Sequence, residues 1–107
     1  MCEIDLGKYK SAKSRVFSGR LEANVVRKKI NLDILDKNDD EVVNITIPTD
    51  IISLNSSFFL GLFGPSVRFL GEQKFREKYV FECTDIIKRS VNDGIERALK
   101  TSNPLDF

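Results

Sequence analysis

The chain has 107 residues, which is enough for one domain with a single hydrophobic core. Charged residues make up 31% and hydrophobic residues 41%, an ordinary globular balance, and the formal net charge of +1 gives no strong attraction to nucleic acid or anionic membranes. There is no histidine. The composition therefore excludes a Ser-His-Asp triad, a Cys-His pair and most zinc sites.

No stretch of eighteen apolar residues is present, and the first residues, MCEIDLGKYK, carry charges where a signal peptide has an apolar centre. We therefore expect a cytoplasmic protein with no membrane span. Cys2 and Cys83 are then expected to be free, reduced thiols.

The N-terminal third is predicted to hold a short strand and a helix. Residues 3–6 alternate in polarity and predict a strand, whereas the basic residues 8–17 predict a loop that is extended at 15–17. Ser18 and Gly19 predict a turn and helix cap before a helix that begins at Arg20, and residues 32–35 are expected either to continue that helix or to end it. The apolar side of that helix is expected to contain Leu21, Val25, Val26 and Ile30.

The middle of the chain is predicted to turn and then form a strand. The acidic residues of 33–41, DILDKNDDE, have irregular spacing and lack the glycine of a calcium loop, so we expect a solvated turn. Val43, Ile45 and Ile47 alternate with polar residues in EVVNITIP, which predicts a half-covered strand closed by Pro48.

Small polar residues precede an aromatic run in NSSFFLGLFGPS, a pattern typical of a helix N-terminus. Ser57 is the predicted cap, and Ser56 is then expected to face solvent at the positive end of the helix. The helix is expected to falter at Gly61 and at Gly64–Pro65, and to resume over 66–70.

The C-terminal third predicts a strand and the most regular helix of the chain. In residues 77–83, EKYVFEC, Tyr79, Phe81 and Cys83 share one face, and Cys83 is expected in the core. A helix from Thr84 or Asp85 through Lys100 follows. Its predicted buried stripe contains Ile86, Ile87, Ser90, Val91, Gly94, Ile95, Ala98 and Leu99. The elements together predict an α/β fold, a small mixed sheet covered by helices.

The adjacent serines, Ser56 and Ser57, are open to several interpretations. They could cap a buried helix, accept a phosphate, belong to a docking surface, or act as nucleophiles. A nucleophilic serine would need a lysine or a carboxylate as its base, and the sequence marks none of its lysines or carboxylates as that base.

The central segment NSSFFLGLFGPSVRFLG resembles the SSFLxExFGGLVR-type signature of a STAS-like family of uncharacterised bacterial domains, which are short relatives of the anti-sigma-factor antagonists. FSGR, Phe17 to Arg20, is similar to the Ser-Gly-Arg that opens the first helix in that family. The resemblance covers about residues 15–100, so 1–107 is expected to be one STAS-like domain with terminal segments 1–14 and 101–107.

The resemblance implies a regulatory, signalling role without catalysis, cofactor or metal. In the antagonists the strand-to-helix turn has the sequence Asp-Ser-Ser-Gly-Leu, and its first serine is phosphorylated by a GHKL-type kinase that is also the partner. That serine matches Ser56, and Asn55 stands where the antagonists have aspartate. Ser56 and Ser57 are thus the candidate phosphorylation sites. The resemblance implies a partner-binding surface formed by the turn and helix at 55–68, with Arg20 nearby. Its residues are Arg20, Asn55, Ser56, Ser57, Phe58, Phe59, Phe63, Gly64 and Arg68.

The sequence therefore predicts a non-enzymatic domain that docks a protein partner such as a GHKL-type ATPase or kinase. Two alternatives from other classes remain open: a nucleic-acid-associated module that uses the basic N-terminal segment, and a small structural subunit of a larger complex. The sequence identifies neither the input signal nor the oligomeric state.

Overall fold

The computed structural model describes residues 2–9, 16–17, 19–38 and 41–100. The strands are β1 (Cys2–Asp5), β2 (Val16–Phe17), β3 (Val43–Thr46), β4 (Ser53–Leu54) and β5 (Tyr79–Glu82). The helices are α1 (Arg20–Ile30), α2 (Leu32–Lys37), α3 (Ser56–Leu70), α4 (Glu72–Lys78) and α5 (Asp85–Lys100), with a 3-10 helix at Leu6–Tyr9. No helix in these ranges is long and apolar enough to cross a membrane.

The strands form two small parallel sheets. One has the order β1-β3-β5 and the other joins β2 to β4. The α/β class is confirmed, but the prediction of a mixed sheet is wrong for the described pairings, because all of them are parallel. Helices separate each strand from its partner in sequence, and such crossovers produce parallel neighbours.

Helices cover only one face of the three-stranded sheet. Val43 and Ile45 point to the buried face, and their neighbours in the register, Ile4 and Tyr79, are buried beside them. Side chains on the opposite face are partly or fully exposed: Glu3, Asp5, Asn44, Thr46, Val80 and Glu82. This alternation explains the polarity pattern that predicted the strands.

α3 is the central helix, and it contacts α1, α2, α4 and α5. It is continuous from Ser56 to Leu70, so the predicted breaks at Gly61 and Gly64–Pro65 are wrong. Pro65 does remove one backbone donor and costs about 3 kcal/mol in a helix interior. Phe63 and Val67, on either side of it, are fully buried, and burial of two such side chains offsets that cost.

An aromatic cluster joins α3 to the sheet. The Phe63 ring lies 5.3 Å from Phe81, 5.7 Å from Tyr79 and 5.8 Å from Phe75, measured between ring centroids. Phe59 extends the cluster and lies 5.4 Å from Phe63. The aromatic run that distinguishes the sequence is therefore the main packing contact between helix and sheet.

The predicted buried side of the first helix is wrong in part. Leu21 and Val25 are 82% and 52% exposed, whereas Ala23, Val26 and Arg27 are buried. Residues 32–35, which the sequence allowed either to continue or to end this helix, belong to the separate helix α2, because Asn31 adopts the left-handed conformation (φ 62°, ψ 49°) and ends α1. Asparagine tolerates that conformation better than most residues.

Several further predictions can be compared with the described residues. α5 begins and ends as predicted, but Ile86 is 65% and Leu99 37% exposed, so the buried stripe is narrower. Cys83 is only partly buried. β4 and α4 were not predicted. The predicted Ser18 cap, the loop at 10–15 and the turn at 39–40 lie outside the described residues; Gly19 is the residue before α1.

Gly94 on α5 gives a test of this packing. A Cβ placed on Gly94 would lie 2.6 Å from Cγ of the Phe59 ring, so α3 and α5 approach too closely for a larger residue. We expect Gly94→Ala to lower the free energy of unfolding by about 1–3 kcal/mol, through overpacking. Urea titration measures the change, with Ser90→Ala on the same helix as the control. A stability gain, as expected of alanine in an open helix, would contradict the close packing of α3 on α5.

Candidate functional site

The turn between β4 and α3 is held by Asn55. Its backbone N–H donates to the carbonyl oxygen of Phe17 at 2.8 Å, which extends the pairing of β4 with β2. Its backbone is extended (φ −70°, ψ 142°), as is typical of an N-cap residue. The Asn55 Oδ1 accepts hydrogen bonds from the N–H of Ser57 at 2.8 Å and from the Ser57 hydroxyl at 2.7 Å.

The helix cap is therefore Asn55, and the prediction of Ser57 as the cap is wrong. The cap is set by the last residue with strand geometry, and that residue is Asn55 because β4 ends at Leu54. Ser57 instead lies in the first turn of α3, where its hydroxyl donates to the cap rather than capping the helix itself.

The two serines are nevertheless in different environments. Both are half-buried. The Ser57 hydroxyl is occupied by Asn55, whereas the Ser56 hydroxyl has no hydrogen-bond partner within the part of the chain that the structure describes. Ser56 is also the first residue of a 15-residue helix, where the helix dipole favours a negative charge.

The aromatic members of the predicted docking set lie inside the protein. Phe58, Phe59 and Phe63 are 1–2% exposed, and Phe58 stacks on Phe17 with ring centroids 4.9 Å apart. These side chains cannot contact a partner, since their place is in the core between helix and sheet. The sequence could not separate core from surface here, because α3 is apolar on almost all sides.

The remaining members of the set are spread along α3 and α1. Gly64 is buried, and a Cβ there would lie 3.5 Å from the Arg68 guanidinium. Arg68 itself is half-buried, one turn further along the helix. Arg20 is the first residue of α1, and its side chain is outside the described part of the structure. Of the predicted residues, Asn55, Ser56 and Ser57 are thus the ones that the fold brings together at one accessible end.

A buried polar network contacts the central helix at Leu62 and Ser66, and sequence analysis missed it. Arg27 of α1 donates from Nη2 to Asp36 Oδ2 at 3.1 Å, with side chains only 10% and 5% exposed. From Nη1 it donates to the Leu62 carbonyl oxygen at 2.7 Å and to Ser66 Oγ at 2.9 Å. One guanidinium thus connects α1, α2 and α3.

Asp36 is the acceptor at the centre of this network. In addition to Arg27, it accepts from the Ser66 hydroxyl at 2.7 Å and from the Tyr79 hydroxyl at 2.5 Å. Burial raises the pKa of Tyr79 well above its usual value, and the hydrogen bond to Asp36 raises it further. Tyr79 therefore stays protonated at physiological pH and remains a donor to the carboxylate.

The predicted solvated turn at 33–41 is consequently wrong for residues 33–37, which belong to α2 and include a buried carboxylate. Asp36 is 4% exposed, and Asp33, although its side chain is 80% exposed, accepts from Arg27 Nη2 at 2.6 Å. The missed signal is the position of Arg27, one turn from Ala23 and next to Val26 on the buried side of α1. A charged residue on a buried helix face requires a buried partner.

A second buried cation closes the same region. Lys78 at the end of α4 is 8% exposed, and its Nζ donates to the carbonyl oxygens of Asn38 at 2.5 Å and Glu41 at 2.8 Å. These bonds fasten the chain that follows α2 to the start of β5. Arg27 thus fixes α2 through Asp33 and Asp36, and Lys78 fixes Asn38 and Glu41 in the chain that follows.

The network has the geometry of a structural element rather than of a reacting centre. Ser66 is fully buried and its hydroxyl already donates to Asp36, so no substrate can reach it. Burial raises the pKa of the Cys83 thiol and makes its nucleophilic thiolate scarcer. Within the described residues, no group of three or more acidic or cysteine side chains is placed to hold a metal ion.

Comparisons with protein-family models, curated proteins and solved structures give no match to this chain. Any assignment of function therefore rests on the residues and the geometry.

The cap assignment predicts unequal effects of two substitutions. Asn55→Ala removes the acceptor of the Ser57 amide and should lower the free energy of unfolding by about 0.5–2 kcal/mol. Ser57→Ala leaves that amide bonded to Asn55, so its cost should stay below about 0.5 kcal/mol, within the range of ordinary surface changes. Urea titration of both variants measures the difference. An equal or larger loss in Ser57→Ala would mean that Ser57, not Asn55, holds the helix end.

Proposed function

We propose that this chain is a STAS-like regulatory domain that acts in the cytoplasm by docking a protein partner, of the GHKL-type ATPase or kinase class, at the N-terminus of α3. The docking residues are Asn55, Ser56 and Ser57. The observation that carries the proposal is the environment of Ser56, a half-buried serine with an uncommitted hydroxyl at the start of the central helix.

The local architecture supports this proposal. The signature that resembles the STAS-like family falls on a strand-turn-helix unit, β4–Asn55–α3, as in the strand-to-helix turn of the antagonists. Asn55 is fixed on both sides, by its backbone bond to Phe17 and by its side-chain bonds to Ser57. A partner would therefore meet a rigid turn, and a rigid surface loses little entropy on binding.

The electrostatics of the turn support an anionic contact. No acidic residue lies in the first turn of α3, so its exposed amides are not neutralised by the helix itself. A carboxylate of the partner, or a phosphate on Ser56 carrying about −1.5 to −2 charges, would be stabilised there. Asn55 in place of aspartate also removes one negative charge that would oppose such a group.

The aromatic residues contribute indirectly. Phe58 and Phe59 hold the first turn of α3 in the core, so they fix the orientation of Ser56 without touching the partner. The surface available for docking is correspondingly smaller than the predicted set and consists of Asn55, Ser56 and Ser57.

The alternative of a nucleic-acid module is less well supported. Of the basic residues on α1 whose side chains the structure describes, Arg27 is committed to the core, whereas Lys28 and Lys29 are exposed. The formal net charge of +1 gives no strong attraction to a polyanion, and non-specific affinity depends on the number of phosphate contacts.

The proposal predicts a charge effect at Ser56. Ser56→Asp places a permanent carboxylate at the docking site, where it should compete with the anion supplied by the partner and reduce capture of a GHKL-type ATPase at least about fivefold, an energy of about 1 kcal/mol. Capture from a lysate of the native host by the immobilised chain, followed by quantitative mass spectrometry, measures the change.

Ser90→Asp provides the matched control, since it adds the same charge at a half-buried serine on α5. Phosphopeptide mapping of the recovered chain tests modification of Ser56 and Ser57 in the same experiment. Equal capture by wild type, Ser56→Asp and Ser90→Asp, or no ATPase in the captured set, would contradict the proposed function.

A further inference from the structure

The strand β5 lies at an edge of the three-stranded sheet. In a parallel pair, alternate residues of each strand bond to the neighbour. The Glu82 carbonyl oxygen accepts from the Ile47 N–H at 2.9 Å, so Glu82, and with it Val80, bonds towards β3. The N–H and C=O of Phe81 therefore point away from β3, towards an edge where no further strand is paired among the described residues.

A groove runs along this open edge, and it has a volume of about 230 Å³. Both Phe81, from the buried face of the sheet, and Val80, from the exposed face, line it, so the groove follows the edge of the strand itself. Phe75 of α4 and Val91 and Ile95 of α5 form its apolar floor.

The charged side chains that line the groove are both cationic. Arg76 bridges the two flanking helices, donating from Nη1 to Asn92 of α5 at 2.8 Å and from Nε to Glu72 at 3.1 Å. Lys88 is exposed on α5, near the beginning of the helix. Because Glu72 already pairs with Arg76, Lys88 is the cation that remains for an incoming carboxylate.

We propose that the edge of β5 is a second interaction site, which binds an extended peptide segment of another protein by adding a strand to the sheet. The peptide pairs with the N–H and C=O of Phe81. Its inward side chains are apolar and fill the groove over Phe75, Val91 and Ile95, and an acidic side chain contacts Lys88. Main-chain pairing supplies affinity, and the groove and the lysine supply selectivity.

The opposite edge of the sheet lacks these features. β1 carries two carboxylates, Glu3 and Asp5, and charged residues on an edge strand oppose the addition of another strand; β5 carries one, Glu82, which accepts a hydrogen bond from Asn44 of β3 at 2.6 Å. β5 has aromatic and β-branched residues at positions 79–81, which favour strand pairing. This site does not depend on the proposed docking at α3, because the two share no residue.

The test uses the full chain and a blocked peptide, acetyl-Asp-Thr-Val-Thr-Val-Thr-amide, which alternates inward acidic and apolar residues with outward threonines. Binding is followed by calorimetry and by chemical-shift changes of the backbone amides. We expect binding tighter than about 1 mM, with the largest shift and increased exchange protection at the Phe81 amide. A version N-methylated at the amides that pair with β5 should lose binding, since it keeps the side chains but not the donors.

Lys88→Glu should weaken binding about two- to fivefold, as expected for an exposed ion pair, and Lys74→Glu on α4, away from the groove, should not. The proposal is overturned by no binding of the probe at 1 mM, by equal binding of the N-methylated peptide, or by shifts that avoid β5. Dimerisation in light scattering, with the Phe81 amide protected before peptide is added, would also overturn it, because a second copy would then occupy the edge.

Discussion

The fold depends on one buried ion pair, between Arg27 and Asp36. Removing two charges from water is costly, and the attraction between them repays that cost only when hydrogen bonds satisfy the remaining donors and acceptors. Here Ser66 and Tyr79 donate further hydrogen bonds to the Asp36 carboxylate. The Leu62 carbonyl oxygen and Asp33 accept hydrogen bonds from the Arg27 guanidinium. The network has partners on α1, α2, α3 and β5, so it fixes the relative positions of elements that apolar packing alone would leave less specified.

This constraint also accounts for the position of the candidate docking site. The network and the aromatic cluster hold α3 along its length, from Phe59 to Ser66, against neighbours on every side. The first turn of α3 is held by the Asn55 cap and by the buried rings of Phe58 and Phe59, while Ser56 and Ser57 in the same turn are half-buried. The accessible end of the central helix is thus rigid but not buried, which suits a surface that binds a partner without rearrangement.

The sequence predicted the elements whose signals are local. Alternation in β1, β3 and β5 and the apolar stripe of α5 were sufficient, because one face of each packs on the core. Sequence analysis failed where long-range contacts decide the outcome, since Pro65 is tolerated in α3 because its neighbours are buried. It also missed α4, because a seven-residue polar helix has almost no apolar pattern. The candidate site, likewise, was predicted only in part. The helix start at Asn55–Ser57 was visible in the sequence, but which residue caps it depended on where β4 ends.

The buried network could not be predicted, because hydrogen-bonded pairs within it are up to 43 residues apart in sequence and its charged members look like ordinary surface residues. Asp36 stands in an acidic segment that resembles a turn, and Arg27 in a basic run that resembles a solvated face. Arg27 and Asp36 meet only because whole helices and strands pack together in the fold, and no short sequence pattern encodes that packing. Core and surface assignments of charged residues are therefore where the sequence interpretation was weakest.

A double-mutant cycle on Arg27 and Asp36 tests whether this ion pair organises the fold. Arg27→Met and Asp36→Leu, each alone, leave one buried charge without its partner, and each should lower the free energy of unfolding by about 3–5 kcal/mol in urea titration. The double variant leaves neither charge behind, so its loss should be clearly smaller than the sum of the two single losses. Single losses below about 1 kcal/mol, or losses that simply add, would show that the pair does not organise the fold.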